Sequence, residues 1–210
     1  MSTNIDSHQH FGVPVFEATL ADFNDHQAEL ADYLLSMRAQ AGGVERSNMG
    51  GWHSDDKLHA DKHPAIRWLT QAVYSTASAC IRHQNPKAAN QKILLTQMWA
   101  NINEAGDWNS VHHHLPCEWS GCVYISVGAL KRVEGRSMQD GDIIFIDGDA
   151  RGEQYGRPTS DSYHPANGRL FLFPGYQLHM VAPHREEEPR ISVAFNLRLQ
   201  PADKSPVVGR

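Results

Sequence analysis

The sequence predicts a mainly β fold of the α+β type, in which helices come first and a sandwich or jelly-roll barrel follows. Two observations lead to this prediction. In the first 90 residues the apolar positions recur with helical spacing, whereas later apolar residues alternate with period two in short segments between glycine and proline turns. Short strands of that kind are typical of sandwiches and jelly rolls. The N-terminal helices would then pack on the outer face of one sheet.

Two amphipathic helices are expected in the N-terminal part. Over residues 20–37 the apolar positions fall on one side of a helix, and the Gly42-Gly43 pair ends that pattern. A second helix is predicted to begin at Pro64, because proline is favoured in the first helical turn, where an N–H group has no helical partner. Its buried face is predicted to consist of Ile66, Leu69, Val73, Ala77 and Ile81.

At least six strands are expected in the second half of the chain. The candidate strands are residues 92–102, 119–127, 142–146, 169–173, 178–181 and 190–199. No internal repeat and no linker divides the sequence, so one domain over residues 1–210 is predicted. Within it we expect a helical supporting part (1–90), a β core that carries the chemistry (91–200) and a tail (201–210).

Composition and charge argue against several classes of function. The 210 residues carry a net charge of −5, whereas nucleic-acid binders usually present a basic surface. The three cysteines, Cys80, Cys117 and Cys122, have no framework spacing, which predicts reduced thiols and a cytoplasmic protein. The N-terminus has no signal-peptide pattern, and no run of about 18 apolar residues exists, so no membrane association is expected.

A histidine cluster is the most informative part of the sequence. His112 and His114 share a face if their segment is extended, since side chains i and i+2 of a strand point the same way. The chain contains 13 histidines, and His8 and His10 have the same spacing, so the spacing alone is weak. The context is stronger, because candidate strands flank the pair and His179 follows a later Pro-Gly turn that could return it to the same place. Three imidazoles brought together predict a metal site.

The last predicted strand combines an apolar face with a polar one. Its polar face is predicted to consist of Arg190, Ser192, Ala194 and Asn196. If the apolar face packs in the core, the polar face lines a cavity. A guanidinium in that position is suited to bind a carboxylate through two parallel hydrogen bonds. The alternative is a solvated arginine on an edge strand.

The strand at residues 119–127 offers further polar groups. One face is predicted to consist of Ser120, Cys122, Tyr124 and Ser126, with Val123, Ile125 and Val127 opposite. Tyr124 either donates a hydrogen bond to a bound acid or fills the core with its ring. Three tryptophans bracket the histidine cluster and either shape a pocket or pack in the core: Trp99, Trp108 and Trp119.

Several short motifs follow one another along the second half of the chain. They are Trp99-Ala100-Asn101, Gly106-Asp107-Trp108-Asn109, His112-His113-His114, Ser120-Gly121-Cys122-Val123-Tyr124, Phe173-Pro174 before His179, and Arg190-Ile191-Ser192 before Phe195-Asn196. In this order and spacing they resemble the 2-oxoglutarate- and Fe(II)-dependent oxygenases with a double-stranded β-helix. The likeness covers about residues 92–199. It implies that the jelly-roll core is a double-stranded β-helix.

The resemblance also implies roles for individual residues. His112, His114 and His179 would bind Fe(II), and Arg190 would bind the distal carboxylate of 2-oxoglutarate. Ser192 or Tyr124 would assist Arg190. Three protein ligands leave positions on the iron for the cosubstrates 2-oxoglutarate and dioxygen. The expected reaction is hydroxylation of a small molecule or a peptide. In most of the wider superfamily a carboxylate occupies the position of His114.

Three other interpretations use the same residues. The spacing of Gly106, His112, His114 and Glu118 partly matches the first cupin motif, which would make Glu118 a fourth metal ligand. A zinc hydrolase with three histidine ligands would need a nearby general base, for which Glu118 is the candidate. A non-catalytic module would bind a metal or small ligand without turnover. In an enzyme, the loop at residues 151–165 is expected to recognise the substrate.

Overall fold

The fold is that of a computed structural model, which describes residues 5–10, 12–86, 91–130, 133–135, 138–148, 153–154, 156 and 158–201. The helices are α1 (Gln27–Gln40) and α2 (Pro64–Gln84), with 3-10 turns at Phe23–Asp25 and Leu58–Ala60. The strands are β1 (Ile5–His10), β2 (Val13–Thr19), β3 (Asn48–Met49), β4 (Trp52–His53), β5 (Gln91–Asn103), β6 (Trp108–His112), β7 (Trp119–Ser126), β8 (Ile143–Ile146), β9 (Ser160–Tyr163), β10 (Arg169–Pro174), β11 (His179–Val181) and β12 (Arg190–Pro201).

Two antiparallel sheets form the predicted jelly roll. The larger sheet has the strand order β1-β2-β10-β7-β12-β5-β4, and the smaller sheet has the order β3-β6-β11-β8-β9. From β5 onward the chain passes back and forth between the sheets, apart from the consecutive strands β8 and β9, so most strands that are neighbours in space are distant in sequence. The prediction of a double-stranded β-helix with N-terminal helices is therefore confirmed.

The two helices cover the outer face of the larger sheet. The five apolar residues predicted for the buried face of α2 are each at most 1% exposed. They pack with α1 residues such as Leu30 and Leu34, and with sheet residues such as Val123, Leu170 and Val193, in one continuous cluster. Burial of apolar surface stabilises a fold by about 25 cal/mol per Å². The helix layer thus holds one face of the sheet and leaves the other face to line the interior.

A β-bulge in β5 changes the face that its side chains occupy. Asn196 of β12 lies opposite Gln97, but the next residue along β12 lies opposite Leu95, which leaves Thr96 as an extra residue. Before the bulge, odd-numbered residues such as Leu95 pack towards the helices, and after it even-numbered residues such as Met98 do so. Thr96 and Gln97 therefore both lie on the interior side, although they are consecutive.

A second bulge lies in β7. Ile191 pairs with Ser126 and the next residue of β12 pairs with Tyr124, which leaves Ile125 between two paired residues. Beyond this bulge the odd-numbered and even-numbered side chains of β7 exchange faces. Val127 was predicted to share a face with Ile125, opposite Tyr124, but this prediction is wrong, because Val127 joins the interior cluster with Tyr124.

The N-terminal segment also differs from the predicted pattern. Strands β1 and β2 extend the larger sheet beyond β10, so this part is not entirely helical. Helix α1 begins at Gln27 instead of residue 20, because Asp22 adopts a left-handed φ of 56° that interrupts the helix. The division into parts at residues 1–90 and 91–200 stays a prediction, and residues 202–210 of the predicted tail lie outside the described residues. No helix in the described ranges has the length and apolar character that crossing a bilayer requires.

Candidate active site

Three histidines meet in the interior of the jelly roll. His112 ends β6 and pairs directly with His179, the first residue of β11. His114 lies two residues beyond β6, and its backbone N–H donates a hydrogen bond to the Gly175 carbonyl at 2.7 Å. One ring nitrogen of each histidine lies within 4.8 Å of the others, and the described part of the chain contains no second group of this kind. The structure thus brings together the adjacent pair and the distant histidine selected from the sequence.

Backbone carbonyls fix the orientation of two of the rings. Nδ1 of His112 donates to the carbonyl oxygen of Ser110 at 2.6 Å, and Nδ1 of His179 donates to that of Gln177 at 2.9 Å. This tautomer leaves Nε2 of each ring with its lone pair available. Nε2 of His179 lies 3.3 Å from Nε2 of His114. Histidines that bind metals usually have such a partner on the second ring nitrogen, which orients the ring.

Burial keeps the three rings neutral. It lowers the pKa of His114 to about 3, lowers the pKa of His179 well below its ordinary value, and also lowers the pKa of His112. The neighbouring imidazoles lower the pKa of His114 and His179 further, because a positive charge on one ring repels a positive charge on the next. Neutral imidazoles are the form that binds metal ions. The cluster is therefore ready for a divalent cation at neutral pH.

Arg190 is a buried cation without an anionic partner. It is 1% exposed, and its Nη1 and Nη2 groups donate to the carbonyl of Gly141 at 3.0 Å and to Oδ1 of Asn103 at 3.1 Å. Its Nε has no hydrogen-bond partner. None of the ion pairs in the described ranges includes Arg190. Burial lowers the pKa of the guanidinium. Because an unpaired buried charge is costly, this environment fits an anionic ligand.

Ser192 and Tyr124 lie next to Arg190 on the wall of the same cavity. Ser192 pairs with Tyr124 on one side and with Asn101 on the other. The Tyr124 hydroxyl and the Cys122 thiol are hydrogen-bonded to each other. Burial raises the pKa of Tyr124 well above its ordinary value, so the hydroxyl stays protonated and can donate. All five of these side chains line the cavity.

A cavity of about 710 Å³ connects the histidines with Arg190. Its wall includes Phe173, with its ring centre 4.7 Å from that of His179, and Trp99, with its ring centre 5.6 Å from that of His114. His53 also lines it and stacks on Trp99 at 5.5 Å between ring centres. Sequence analysis missed His53, because only the pairing of the two-residue strand β4 with β5 brings it to the cavity.

Glu118 does not join the histidines. Its carboxylate accepts a hydrogen bond from the Leu199 backbone N–H at 3.1 Å and lies 3.6 Å from Nε of Arg198. It is not part of the metal-binding group. The predictions of a fourth ligand and of a general base at Glu118 are therefore wrong, because residues of strand β12 bind its carboxylate away from the histidines.

Other residues selected from the sequence lie elsewhere. Of the three tryptophans, Trp99 lines the cavity, whereas Trp119 packs against Phe16 on the helix side at 5.9 Å between ring centres. Trp108 pairs with Met49 and is not among the cavity residues. Within the predicted recognition loop, positions 151, 152, 155 and 157 lie outside the described residues.

The residues fit both of the ligands that the sequence suggested. Three neutral imidazoles that face an open cavity suit a divalent first-row metal ion with free positions. A guanidinium with an unpartnered Nε on the same cavity wall suits a carboxylate. The serine and tyrosine hydroxyls beside it add donors for the same anion. The arrangement therefore provides separate places for a metal and for an acid within one cavity.

Comparisons with known proteins point in the same direction. Residues 97–196 match a family model described as "Putative 2OG-Fe(II) oxygenase". A prolyl-4-hydroxylase from Pseudomonas putida has a similar structure, with 13% identity over 94% of each chain and a TM-score of 0.59. A prolyl hydroxylase from Trichoplax adhaerens, in complex with a peptide fragment of hypoxia inducible factor, shares 14% identity over 93% of this chain and 87% of that chain, with a TM-score of 0.63.

A third similar structure is HygX from Streptomyces hygroscopicus, with nickel and 2-oxoglutarate bound. It shares 13% identity over 88% of this chain and 82% of that chain, with a TM-score of 0.60. At such low identities the structural likeness shows the fold. No curated protein sequence gives a significant match.

The matched segment runs from β5 into β12 and contains the three histidines and Arg190. The family match, the fold and the histidine group agree with the resemblance seen in the sequence. Residues 97–196 thus match the 2-oxoglutarate- and Fe(II)-dependent oxygenases, which use Fe(II) as cofactor and 2-oxoglutarate and dioxygen as cosubstrates.

Proposed function

We propose that the protein is a hydroxylase in which His112, His114 and His179 hold Fe(II) and Arg190 anchors the distal carboxylate of 2-oxoglutarate. One observation carries this assignment of residues: the buried guanidinium of Arg190, without an anionic partner, lies on the wall of the same cavity as the histidines. Three histidines alone also suit other metal enzymes. Only an acidic ligand accounts for Arg190 as well.

Hydrogen bonds within the protein orient the histidines and Arg190 before any ligand binds. The carbonyls of Ser110 and Gln177 hold two of the imidazoles in place. Asn103 and the Gly141 carbonyl hold the guanidinium of Arg190. Groups that are already fixed lose little conformational entropy when they bind a ligand, which favours both affinity and alignment.

The surrounding residues complete the site for 2-oxoglutarate. Ser192 and Tyr124 provide hydroxyl donors beside Arg190, and Phe173 and Trp99 form an apolar wall near the histidines that excludes water. Three neutral imidazoles bring no negative charge, so the carboxylates of 2-oxoglutarate are the anions that balance the cations of the site. When bound, Fe(II) together with 2-oxoglutarate and dioxygen supplies the oxidising chemistry.

The substrate that we propose is a small molecule or a peptide. Proteins of similar structure include a prolyl hydroxylase in complex with a peptide fragment and HygX with hygromycin B bound. The net charge of −5 argues against nucleic acid. A reducing, cytoplasmic location also stays a prediction, which the unpaired Cys80, Cys117 and Cys122 favour.

The test is an anaerobic titration of the purified protein with Fe(II) and then with 2-oxoglutarate, followed by absorbance in the visible range. Formation of the chelate is expected to produce a weak charge-transfer band, which should be lost in Arg190→Ala. Succinate release in air would then separate an enzyme from a binding module. If Fe(II) binds and no band forms, the proposal is wrong and a metal-binding module of the cupin type becomes the better interpretation.

A further inference from the structure

The cavity extends to both sides of the histidines along β12. Trp99, whose ring approaches His114, pairs with Ala194 and marks the level of the histidines. Arg190 lies four residues towards one end of β12, and Asn196 lies two residues towards the other. With a rise of about 3.3 Å per residue, these positions are roughly 13 Å and 7 Å from Ala194 along the strand. If Arg190 holds 2-oxoglutarate, as proposed above, the Asn196 side remains for the primary substrate.

Three polar side chains on the Asn196 side form an ordered chain of hydrogen bonds. Nε2 of Gln97 donates to a carboxylate oxygen of Asp56 at 2.9 Å. Oε1 of Gln97 in turn accepts from Nδ2 of Asn196 at 2.7 Å. All three side chains line the cavity.

The carboxylate sets the direction of this chain. Asp56 only accepts, so Gln97 must present its NH₂ group to Asp56 and its oxygen to Asn196. Asn196 must then present its NH₂ group to Gln97, because the reverse orientation would place two amide oxygens against each other. Oδ1 of Asn196 is what remains, and it has no hydrogen-bond partner although Asn196 is only 5% exposed.

This arrangement lies at the bulge in β5. Gln97 pairs with Asn196, and the extra residue Thr96 next to it also faces the interior. Bulges often redirect a side chain beside a functional site. A buried acceptor without a partner is costly, and burial of most polar atoms is compensated by a hydrogen bond. An acceptor held in a fixed direction on a cavity wall therefore indicates a ligand that donates.

We propose that Oδ1 of Asn196 accepts a hydrogen bond from the primary substrate, and that the Asp56-Gln97-Asn196 chain selects substrates with an N–H or O–H group next to the reacting carbon. A site built to pair with a donor discriminates strongly against an analogue that lacks it, because the acceptor is then left buried and unpaired. This inference rests on the function proposed above, since it assigns the Arg190 side of the cavity to 2-oxoglutarate.

The test uses protein loaded with Mn(II) in place of iron and saturated with 2-oxoglutarate. The probes are two pairs of small molecules that differ in one methyl group, δ-valerolactam with N-methyl-δ-valerolactam and phenol with anisole. Relaxation of the probe protons by Mn(II) reports both affinity and closeness to the metal. The donor of each pair is expected to bind roughly tenfold more tightly than its methylated partner, which corresponds to one hydrogen bond.

Three variants separate this mechanism from a general effect on the pocket. Asn196→Leu should abolish the preference for donors, because it removes the acceptor at similar volume. Asp56→Asn should weaken the preference and improve binding of the methylated probes, because the chain can then reverse. Gln71→Leu removes an exposed amide on α2 and should keep the preference. The affinity for 2-oxoglutarate checks that each variant is folded.

The other possible results would overturn either the role of Asn196 or the proposed function. Equal binding within the pairs, a preference that survives in Asn196→Leu, or no probe near the metal at millimolar concentration would overturn the role of Asn196. Competition between the probes and 2-oxoglutarate would also overturn it, since the two would share the Arg190 side. Failure of 2-oxoglutarate to bind the Mn(II) protein would instead overturn the proposed function, and this inference with it.

Discussion

Replacement of Arg190 by lysine tests whether the geometry of the guanidinium, and not only its charge, anchors 2-oxoglutarate. The guanidinium has five N–H groups, of which one each is engaged by the Gly141 carbonyl and by Asn103. An ammonium group has three N–H groups. If two of them keep the same protein partners, one is left for the carboxylate, and the paired hydrogen bonds of the planar fork are lost.

The expected magnitude follows from this count. Loss of at least one hydrogen bond to a charged group costs about 1.5–3 kcal/mol. That corresponds to a dissociation constant for 2-oxoglutarate roughly 10- to 150-fold higher than that of the wild-type protein. The positive charge is retained, so the metal site should be unaffected and the metal content should stay the same.

Anaerobic calorimetry of 2-oxoglutarate binding to the Fe(II) protein measures this change. Arg169→Lys is the matched control, since Arg169 pairs with Glu17 at 2.9 Å on another strand and lies outside the cavity. An Arg190→Lys affinity within about threefold of wild type, less than about 1 kcal/mol, would show that the fork does not hold the carboxylate.

Three further predictions concern the histidines and Glu118. His179→Ala should abolish retention of Fe(II) after desalting, because two imidazoles hold this ion poorly, whereas the exposed His83→Ala should retain it; equal metal content would refute the assignment. Glu118→Gln should leave metal content unchanged, and a loss of iron would restore Glu118 as a ligand. The metal-free protein should lose stability as the pH falls below about 6.5. Between that pH and about 3, His114 is protonated in the unfolded chain but stays neutral in the folded site, where its pKa is about 3, so a lower pH favours unfolding. The slope is at most about 1.4 kcal/mol per pH unit for His114 alone, and urea unfolding should show a shallower dependence in His114→Gln.

Regular alternation explains what could be predicted from the sequence. Strand β12 has polar residues on only one face, so period two alone placed Arg190 and Ser192 on the interior side, where the structure has them. The same reasoning placed His112 and His114 together, and the structure has their ring centres 5.0 Å apart. The helix-facing residues of α2 followed from helical spacing in the same way.

Predictions from the alternation of side chains between the two faces of a strand fail at a β-bulge, where the alternation is interrupted. Thr96 and Ile125 are β-branched residues of the kind that ordinary strands prefer, so nothing in the sequence marks them as bulges. The position of Val127 was therefore predicted wrongly. The Asn196 subsite could not be foreseen either, since the chain from Asp56 to Asn196 depends on Gln97 being on the interior side.

Contacts between distant strands account for the other differences. His53 and Asn103 lie in segments without a distinctive pattern. Only the pairing of β4 with β5 brings His53 to the cavity, and only the pairing of β12 with β5 places Asn103 opposite Arg190. Glu118 has suitable spacing from the histidines, but spacing does not reveal that the backbone of Leu199 and the guanidinium of Arg198 bind its carboxylate.

The bulge at Thr96 marks a place where β5 can lose a residue. Its deletion would join Leu95 directly to Gln97, opposite the consecutive residues Leu197 and Asn196. Ile93 and Leu95 would still face the helices and Gln97 would still face the cavity, because the extra residue is the one removed. A one-residue slip in a regular part of the strand would instead turn every side chain to the other face. We therefore expect related sequences to vary in length at this position without a change in the hydrophobic pattern on either side.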